Sequence, residues 1–309
     1  MSNDIRLLML GAMYENGGNT THRMLDGHPQ MFVYPFESQI GTRLVQDPLT
    51  SMFPVKYRWP VFGLDATPAQ DYHAIIDEEG KVRARTPHVS KFRHMPFDFS
   101  DDNRRDIYIE YVQATGRSDG DNVAAFFRAT FDAWQDYNRT GEETVYVGYS
   151  PIFVVDTAKI LDALPNAHVL HVVRNPWSAY ADTKKRPVPL SLHNYMRAWT
   201  LNQYYALYFQ QKYPERMHVV RVEDVMANPS ATLGPICEKL GLEPNAAALQ
   251  RPSWNGQALD EVYPWGTLRK VTPQVNRATA QELSSAEQTT IAEYTWQYLD
   301  VFDYREFLK

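Results

Sequence analysis

The residues with the clearest capacity for chemistry lie in Gly11-Ala-Met-Tyr-Glu-Asn16-Gly17-Gly18-Asn19-Thr20-Thr21. An apolar run from Ile5 to Leu10 leads into them, and a helical pattern follows from Thr20. A junction between a buried strand and a helix suits an anion. The first-turn N–H groups have no partner inside the helix, and the helix dipole adds partial positive charge. Gly17 and Gly18 let the backbone approach a phosphate closely, and Asn19, Thr20 and Thr21 can donate from their side chains. The alternative is a tight turn with a threonine cap and no ligand. The loop lacks the lysine of the G-x-x-x-x-G-K-[ST] pattern.

Other titratable groups fall near predicted element ends. Glu37 follows Tyr34-Pro35-Phe36; a half-buried carboxylate there is suited to taking a proton, or else ends a strand in an ion pair. His22 titrates near neutrality and is the second candidate base, although on the loop helix it can instead cap or contact a phosphate. Arg174 ends the run Val169 to Val173, and Lys184-Lys185-Arg186 follows Asp182 and Thr183. The histidines are scattered and the single cysteine, Cys237, cannot form a pair, so no metal site is expected. Cys237 falls on the apolar face Leu233, Ile236, Leu240, where a buried inert thiol is expected.

These groups need a scaffold. Ile5 to Leu10, Val145 to Gly148, Val169 to Val173 and His218 to Val222 read as buried strands. Helical patterns run over Thr20 to Gly27, Phe153 to Leu164, Leu192 to Tyr213 and Pro229 to Leu240, and Ser150-Pro151 looks like a helix start. The alternation predicts an α/β fold, a mostly parallel sheet with helices on both faces. Residues from about 41 to 102 show little periodicity and many prolines, aromatics and charges. They form either a surface excursion or a lid over a substrate. Within them Lys81-Val-Arg83-Ala-Arg85 alternates at strand spacing, as a solvated edge or as a cationic substrate face. The expected organisation is one domain over 1–309, with 41–130 as an insert on the acceptor side.

Composition removes several classes. With 44% hydrophobic residues the chain can fill a large core, and a net charge of -6 disfavours broad binding to nucleic acid or anionic membrane. No apolar run reaches the roughly 18 residues that span a bilayer, and no signal peptide is evident, so the cytoplasm is the expected compartment. A homodimer is the default expectation for assembly.

Beyond the loop, the run Gly17-Gly-Asn-Thr-Thr-His-Arg-Met-Leu-Asp-Gly-His28-Pro29, followed by Glu37, resembles the opening of the sulfotransferases. Val169-Leu-His-Val-Val-Arg174-Asn-Pro176 resembles their strand ending in R-x-P. Val220-Arg-Val-Glu223-Asp224, Asn228-Pro229 and Leu240-Gly241-Leu242 are similar to later family patterns. Tyr263-Pro-Trp-Gly-Thr-Leu-Arg269-Lys270 sits where the family has a loop closing on the donor. The resemblance, to tyrosylprotein-type bacterial members, implies a P-loop-like fold and transfer of a sulfuryl group from 3′-phosphoadenosine 5′-phosphosulfate to a hydroxyl or amine. It implies Gly17, Gly18, Asn19, Thr20 and Thr21 at the 5′-phosphosulfate. It also implies Arg174, with Asp182 and Thr183, at the 3′-phosphate, Arg269 and Lys270 on the closing loop, and Glu37 as base. The acceptor would be a small molecule or glycan, and no metal is implied.

Three positions depart from the family pattern. Glu15 stands where a loop cation is usual, Asp182 where a serine binds phosphate, and Gly148-Tyr149-Ser150-Pro151 lacks the lysine before its proline. Carboxylates aimed at a polyanion repel it. Either they turn away while Arg23, Arg174, Lys184, Lys185, Arg186, Arg269 and Lys270 compensate, or the donor differs. The alternatives are another transferase with a different phosphorylated donor, or a silent nucleotide-binding protein on the same fold.

Overall fold

The computed structural model describes residues 5–90, 93–259 and 272–308. Its centre is β1 (Leu7–Ala12), six residues that are all buried. Leu7 and Met9 face one core while Leu8, Leu10 and Ala12 face another, the period-two alternation of a strand covered on both sides. β1 leads into α1 (Gly18–Leu25), then β2 (Met31–Val33). After a long insert come β3 (Val145–Tyr149), β4 (Ala167–Val173) and β5 (Met217–Arg221). The five strands are parallel in the order β2-β3-β1-β4-β5.

That order sets the position of a site. The chain leaves β1 toward the β2 edge but leaves β4 toward the β5 edge, so the two connections diverge. A crevice opens between the carboxyl ends of such a strand pair, and ligands of open α/β sheets collect there. The loops after β1 and β4 are the two that carry Gly17 and Arg174.

The insert holds more regular structure than its sequence suggested: α2 (Pro68–Ala74), α3 (Glu78–Arg85), α4 (Asp101–Thr115) and α5 (Asp119–Ala133). Lys81, Arg83 and Arg85 lie in α3, not on an edge strand. Glu78 and Glu79 favour the helix N-terminus and the cations its last turn. The three side chains also diverge. Lys81 donates to the carbonyls of Tyr72 and Ile75, Arg83 to that of Met95, and Arg85 pairs with Asp101. Ser150 caps no helix: its hydroxyl is buried without a partner. Residues Phe153–Asp156 form a 3₁₀ turn before α6 (Thr157–Ala163), because the Asp156 carboxylate is taken by Arg58 and the Trp59 N–H.

The carboxyl-terminal half supplies α7 (Pro176–Thr183), α8 (Leu192–Lys212), α9 (Val222–Ala227), α10 (Pro229–Lys239), α11 (Pro273–Ala280) and α12 (Ser285–Leu299). Cys237 is buried on α10, and burial pushes its thiol up to about 11. Among the described residues no helix is long and apolar enough to cross a membrane.

Arg104 fastens the insert to the sheet. Its guanidinium is wholly buried and donates to Tyr72 (2.7 Å), Asp77 (2.8 Å), Asp101 (2.8 Å) and Tyr34 (3.2 Å), the last just after β2. Phe99 and Phe126 lie over its faces at 4.8 and 4.6 Å. Burial alone would raise the Asp101 carboxyl, but Arg104, Tyr72 and Arg85 outweigh it and hold it at about 2. This lowered value stabilises the fold above the ordinary aspartate range and is lost as pH falls toward 2. Arg104→Ala takes its arginine from buried Asp77 and leaves Asp101 to Arg85 and Tyr72, and urea unfolding at pH 7 is expected to show a loss of about 3–5 kcal/mol. The wild-type decline between about pH 4 and 2 should be smaller in the variant. An unchanged midpoint and acid profile would refute this role.

Candidate functional site

The loop after β1 turns by two left-handed residues, Glu15 (φ 59°) and Gly17 (φ 82°). A Cβ on Gly17 would lie 2.2 Å from Val222 Cγ2, and one on Gly18 would lie 2.6 Å from the Tyr149 ring. Both glycines are therefore required for the loop to sit against the sheet end. Gly17 is the N-cap of α1 and offers no side-chain cap, so the first-turn amides are not closed off by it.

Asn16 fixes the loop, although sequence reasoning did not single it out. Its carboxamide is 1% exposed and makes four bonds. Nδ2 donates to the Tyr14 carbonyl (2.8 Å) and to Tyr195 Oη (3.0 Å). Oδ1 accepts from the Arg174 N–H (3.0 Å) and Trp199 Nε1 (3.2 Å). One side chain thus joins the loop, the end of β4 and helix α8. A buried asparagine can satisfy all its groups only at such a crossing.

Arg174 is brought beside this loop, and its charge is already matched. Nη1 donates to Asp182 Oδ2 (2.8 Å) and to the Glu15 carbonyl (3.0 Å), while Nε and Nη2 both reach Asn276 Oδ1 (3.2 and 2.8 Å). Asp182 also pairs with Lys185 at 3.2 Å. Asn276 in turn donates to Glu223, which accepts from Asn175 and Tyr304. Glu223 therefore acts as an architectural hub. Lys184 pairs with Glu287, and Arg186 lies 4.0 Å from Glu15 and over the Tyr14 ring.

Loop and arginine open on one cleft of about 480 Å³. Glu15 to Thr20, Arg174, Asp182 and Arg186 form one side of its lining. Glu37, Gln39, Lys56, Tyr57, Glu78 and Glu79 join them, the last four from the insert, with Tyr14 and Tyr149 among the aromatic residues. Burial raises Tyr14 to about 12 against the opposing pull of Arg186, and it raises Tyr149 well above the tyrosine range, with Glu37 adding to both. These phenols stay neutral donors at physiological pH. Gln39 Nε2 donates to Glu37 Oε2 at 2.9 Å.

Three expected residues stand behind the lining. Thr21 Oγ1 donates to the Gly17 carbonyl and Thr183 Oγ1 to that of Ala179, so both hydroxyls serve backbone. His22 is fully buried against Arg23 and Tyr149; burial, with the Arg23 charge, drives its pKa well below the usual value. A neutral imidazole in the core is neither a phosphate ligand nor a base for the cleft. Arg23 is spent on Asp26 and the Tyr34 carbonyl. Arg269 and Lys270 lie outside the described residues.

Lys56, Gln39, Glu78 and Glu79 were not singled out as site residues, and Tyr57 only as one of the aromatics of the excursion suited to an acceptor. The place of Lys56, Glu78 and Glu79 in the proline- and aromatic-rich insert was the one hint of them, and Gln39, just before it, carried none. Asn276 carried no local signal at all.

A family model described as the sulfotransferase family matches residues 16–246. No curated protein matches the chain. Among solved structures, the sulfotransferase domain of the Synechococcus PCC 7002 olefin synthase is 18% identical, covers 94% of each chain and gives a TM-score of 0.50. A sulfotransferase from Alicyclobacillus acidocaldarius is 12% identical over 97% of this chain and 96% of its own, at 0.47. One from Mycobacterium avium is 15% identical over 97% and 77%, at 0.44. The first of these likenesses supports the fold. The family model takes in the loop helix, β2 to β5 and the Arg174 junction, and on that ground the chain belongs to the sulfotransferase family and is a transferase.

Proposed function

We propose that the protein transfers a sulfuryl group from 3′-phosphoadenosine 5′-phosphosulfate to a small-molecule or glycan acceptor. The observation that carries this reading is the convergence of the loop after β1, Arg174 and Glu37 on one cleft at the point where the sheet connections diverge. The donor supplies an activated sulfur with a good leaving group. Gly17, Gly18, Asn19 and Thr20 hold its 5′-phosphosulfate through first-turn amides and side chains, with Thr21 and Thr183 supporting the backbone behind them. The loop end fits such a group, because both glycine positions leave the amides close to the sheet end.

The Arg174 end fits less simply. A 3′-phosphate would share Arg174 with the Asp182 carboxylate at 2.8 Å, and it needs Asp182 to turn toward Lys185. Arg269 and Lys270 remain part of the proposed donor site. Residues 41–130, read here as an insert in a single domain over 1–309, form the acceptor side. Glu37 accepts the proton of the attacking group while positioning and electrostatics carry the displacement. The acceptor atom bonds to sulfur, the sulfur–oxygen bond to the 5′-phosphate breaks, and adenosine 3′,5′-bisphosphate leaves. The cytoplasm is the proposed compartment, in keeping with a nucleotide donor.

Calorimetric titration with adenosine 3′,5′-bisphosphate should give micromolar binding. Arg174→Ala should weaken it tenfold or more, about 1.4 kcal/mol. Asp182→Ser should instead tighten it by about tenfold, because the competing carboxylate is gone. No binding at millimolar nucleotide in either the wild type or Asp182→Ser would remove the donor from this reading.

Glu37→Gln keeps the shape of the side chain but cannot accept a proton. We expect a fall of about 10²–10⁴-fold in kcat for bisphosphate release, with bisphosphate affinity within threefold of wild type. Retained kcat would exclude Glu37 as the base.

A further inference from the structure

The amino ends of the strands, away from the cleft, hold a second concentration of charge. A pocket of about 470 Å³ opens there. Arg6 just before β1, His168 on β4, Arg216 just before β5, and Lys239 and Gly241 at the end of α10 line it. His168 precedes Arg174 by six residues, roughly 20 Å along a strand. The two spaces share no described lining residue. Three cations and no carboxylate stand among the described residues of this lining, in a chain of net charge -6.

Helix ends account for part of that charge only. Cations at the amino ends of parallel strands can answer the carbonyls of helix C-termini. Here backbone closes the last turn of α10, where the Leu240, Gly241 and Leu242 N–H groups donate to the Ile236, Glu238 and Cys237 carbonyls. Arg216 Nη1 donates to the Leu161 and Pro165 carbonyls at 3.1 and 3.0 Å, and Arg6 Nη1 to the Thr144 hydroxyl at 3.2 Å. These acceptors are neutral, and Nε and Nη2 of each guanidinium remain for others. Lys239 pairs with Glu215 at 2.9 Å, but that carboxylate is 81% exposed, where water screens the pair. Gly241, at φ 64°, brings the end of α10 against Arg6: a Cβ there would lie 3.1 Å from Nη2.

Two imidazoles complete the cluster. The His168 and His218 rings stack 5.4 Å apart and 9° from parallel, and His168 Nδ1 meets His218 Nε2 at 3.0 Å. Burial holds both down at about 4. The charges of Arg216, Arg6 and Lys239 add to this at His168, those of His168 and Lys239 at His218, and Glu215 opposes it at both. Both rings are therefore neutral at pH 7 and share one hydrogen. With His218 as donor in that bond, His168 carries its own hydrogen on Nε2 and has an N–H to offer.

We propose that this pocket binds a phosphate group, as the free ion or a monoester, between Arg6, Arg216 and Lys239, with His168 Nε2 donating to it. A tetrahedral dianion accepts several charge-assisted bonds at once, and a guanidinium presents paired N–H groups to it. A carboxylate brings half the charge and only two oxygens. The anion also selects between the two tautomers of the histidine pair, so the rings report on its arrival.

The test follows the His168 and His218 ring signals by NMR on the full chain at pH 7 and constant ionic strength. Inorganic phosphate, glycerol 3-phosphate and acetate are the probes. Phosphate or its ester is expected to shift both rings saturably with a Kd of about 1 mM or tighter, and acetate to bind about tenfold more weakly or worse. Arg6→Gln and Lys239→Met, with folding checked by circular dichroism, should each weaken phosphate by about fivefold or more. Tighter binding of inorganic phosphate assigns the site to the free ion, and tighter binding of the ester to a phosphomonoester. Ring signals that do not saturate by tens of millimolar phosphate, acetate binding as well as phosphate, or undiminished affinity in either variant would each overturn the proposal.

Discussion

A buried guanidinium must be neutralised and hydrogen-bonded on every side, and at Arg174 that requirement organises the carboxyl end of the sheet. Asp182 supplies the charge, Asn276 accepts two of its N–H groups, and the Glu15 carbonyl accepts another. Asn276 then needs Glu223, and Glu223 needs Asn175 and Tyr304. The network ties the loops after β1 and β4 to α7, α9, α11 and the segment after α12. Removing one partner from such a set exposes the others to an unpaired buried charge, so the elements hold one another in register.

The insert is fastened by the same physics at a second point. Arg104 has five hydroxyl or carboxylate partners from the insert and from the residue after β2, between two aromatic faces. Arg104 holds Asp77, beside Glu78 and Glu79, while Arg58, beside Lys56 and Tyr57, is tied to Asp156. Buried arginines therefore fix both sides of the cleft. Asn16 joins Arg174 to helix α8 through neutral bonds alone.

What the sequence disclosed followed from periodicity. β1, β3, β4 and β5 are short apolar runs, and α8 and α10 carry helical spacing and capping residues, so the α/β fold could be read. The loop with Gly17 and Gly18, and Arg174 at a strand end, were legible because glycine pairs and strand-to-helix turns have local chemistry. β2, at three residues, is too short to show a period. α3 misled because lysine and arginine alternating with Val82 and Ala84 fits a strand as well as a helix, and only Tyr72, Ile75 and Asp101 settle the matter. The capping boxes Ser118-x-x-Asp121 and Ser284-x-x-Glu287 were readable signals for α5 and α12. His22 and Arg23 shared the helix face expected to meet a phosphate, but packing against Tyr149 and Asp26 turned them inward. Asn276 meets Arg174 from 102 positions away, and no window along the chain contains that contact.

The same contacts set the electrostatics on the loop side of the cleft. On the loop side, Arg174, Lys185 and Arg186 all face carboxylates, so little unmatched side-chain charge is on offer among the described residues. An arriving anion meets chiefly the oriented amides at the start of α1, whose partial charge comes from the fold itself and needs no reorganisation. Such dipoles act over the first turn only, which makes the close backbone approach at Gly17 and Gly18 the condition for binding.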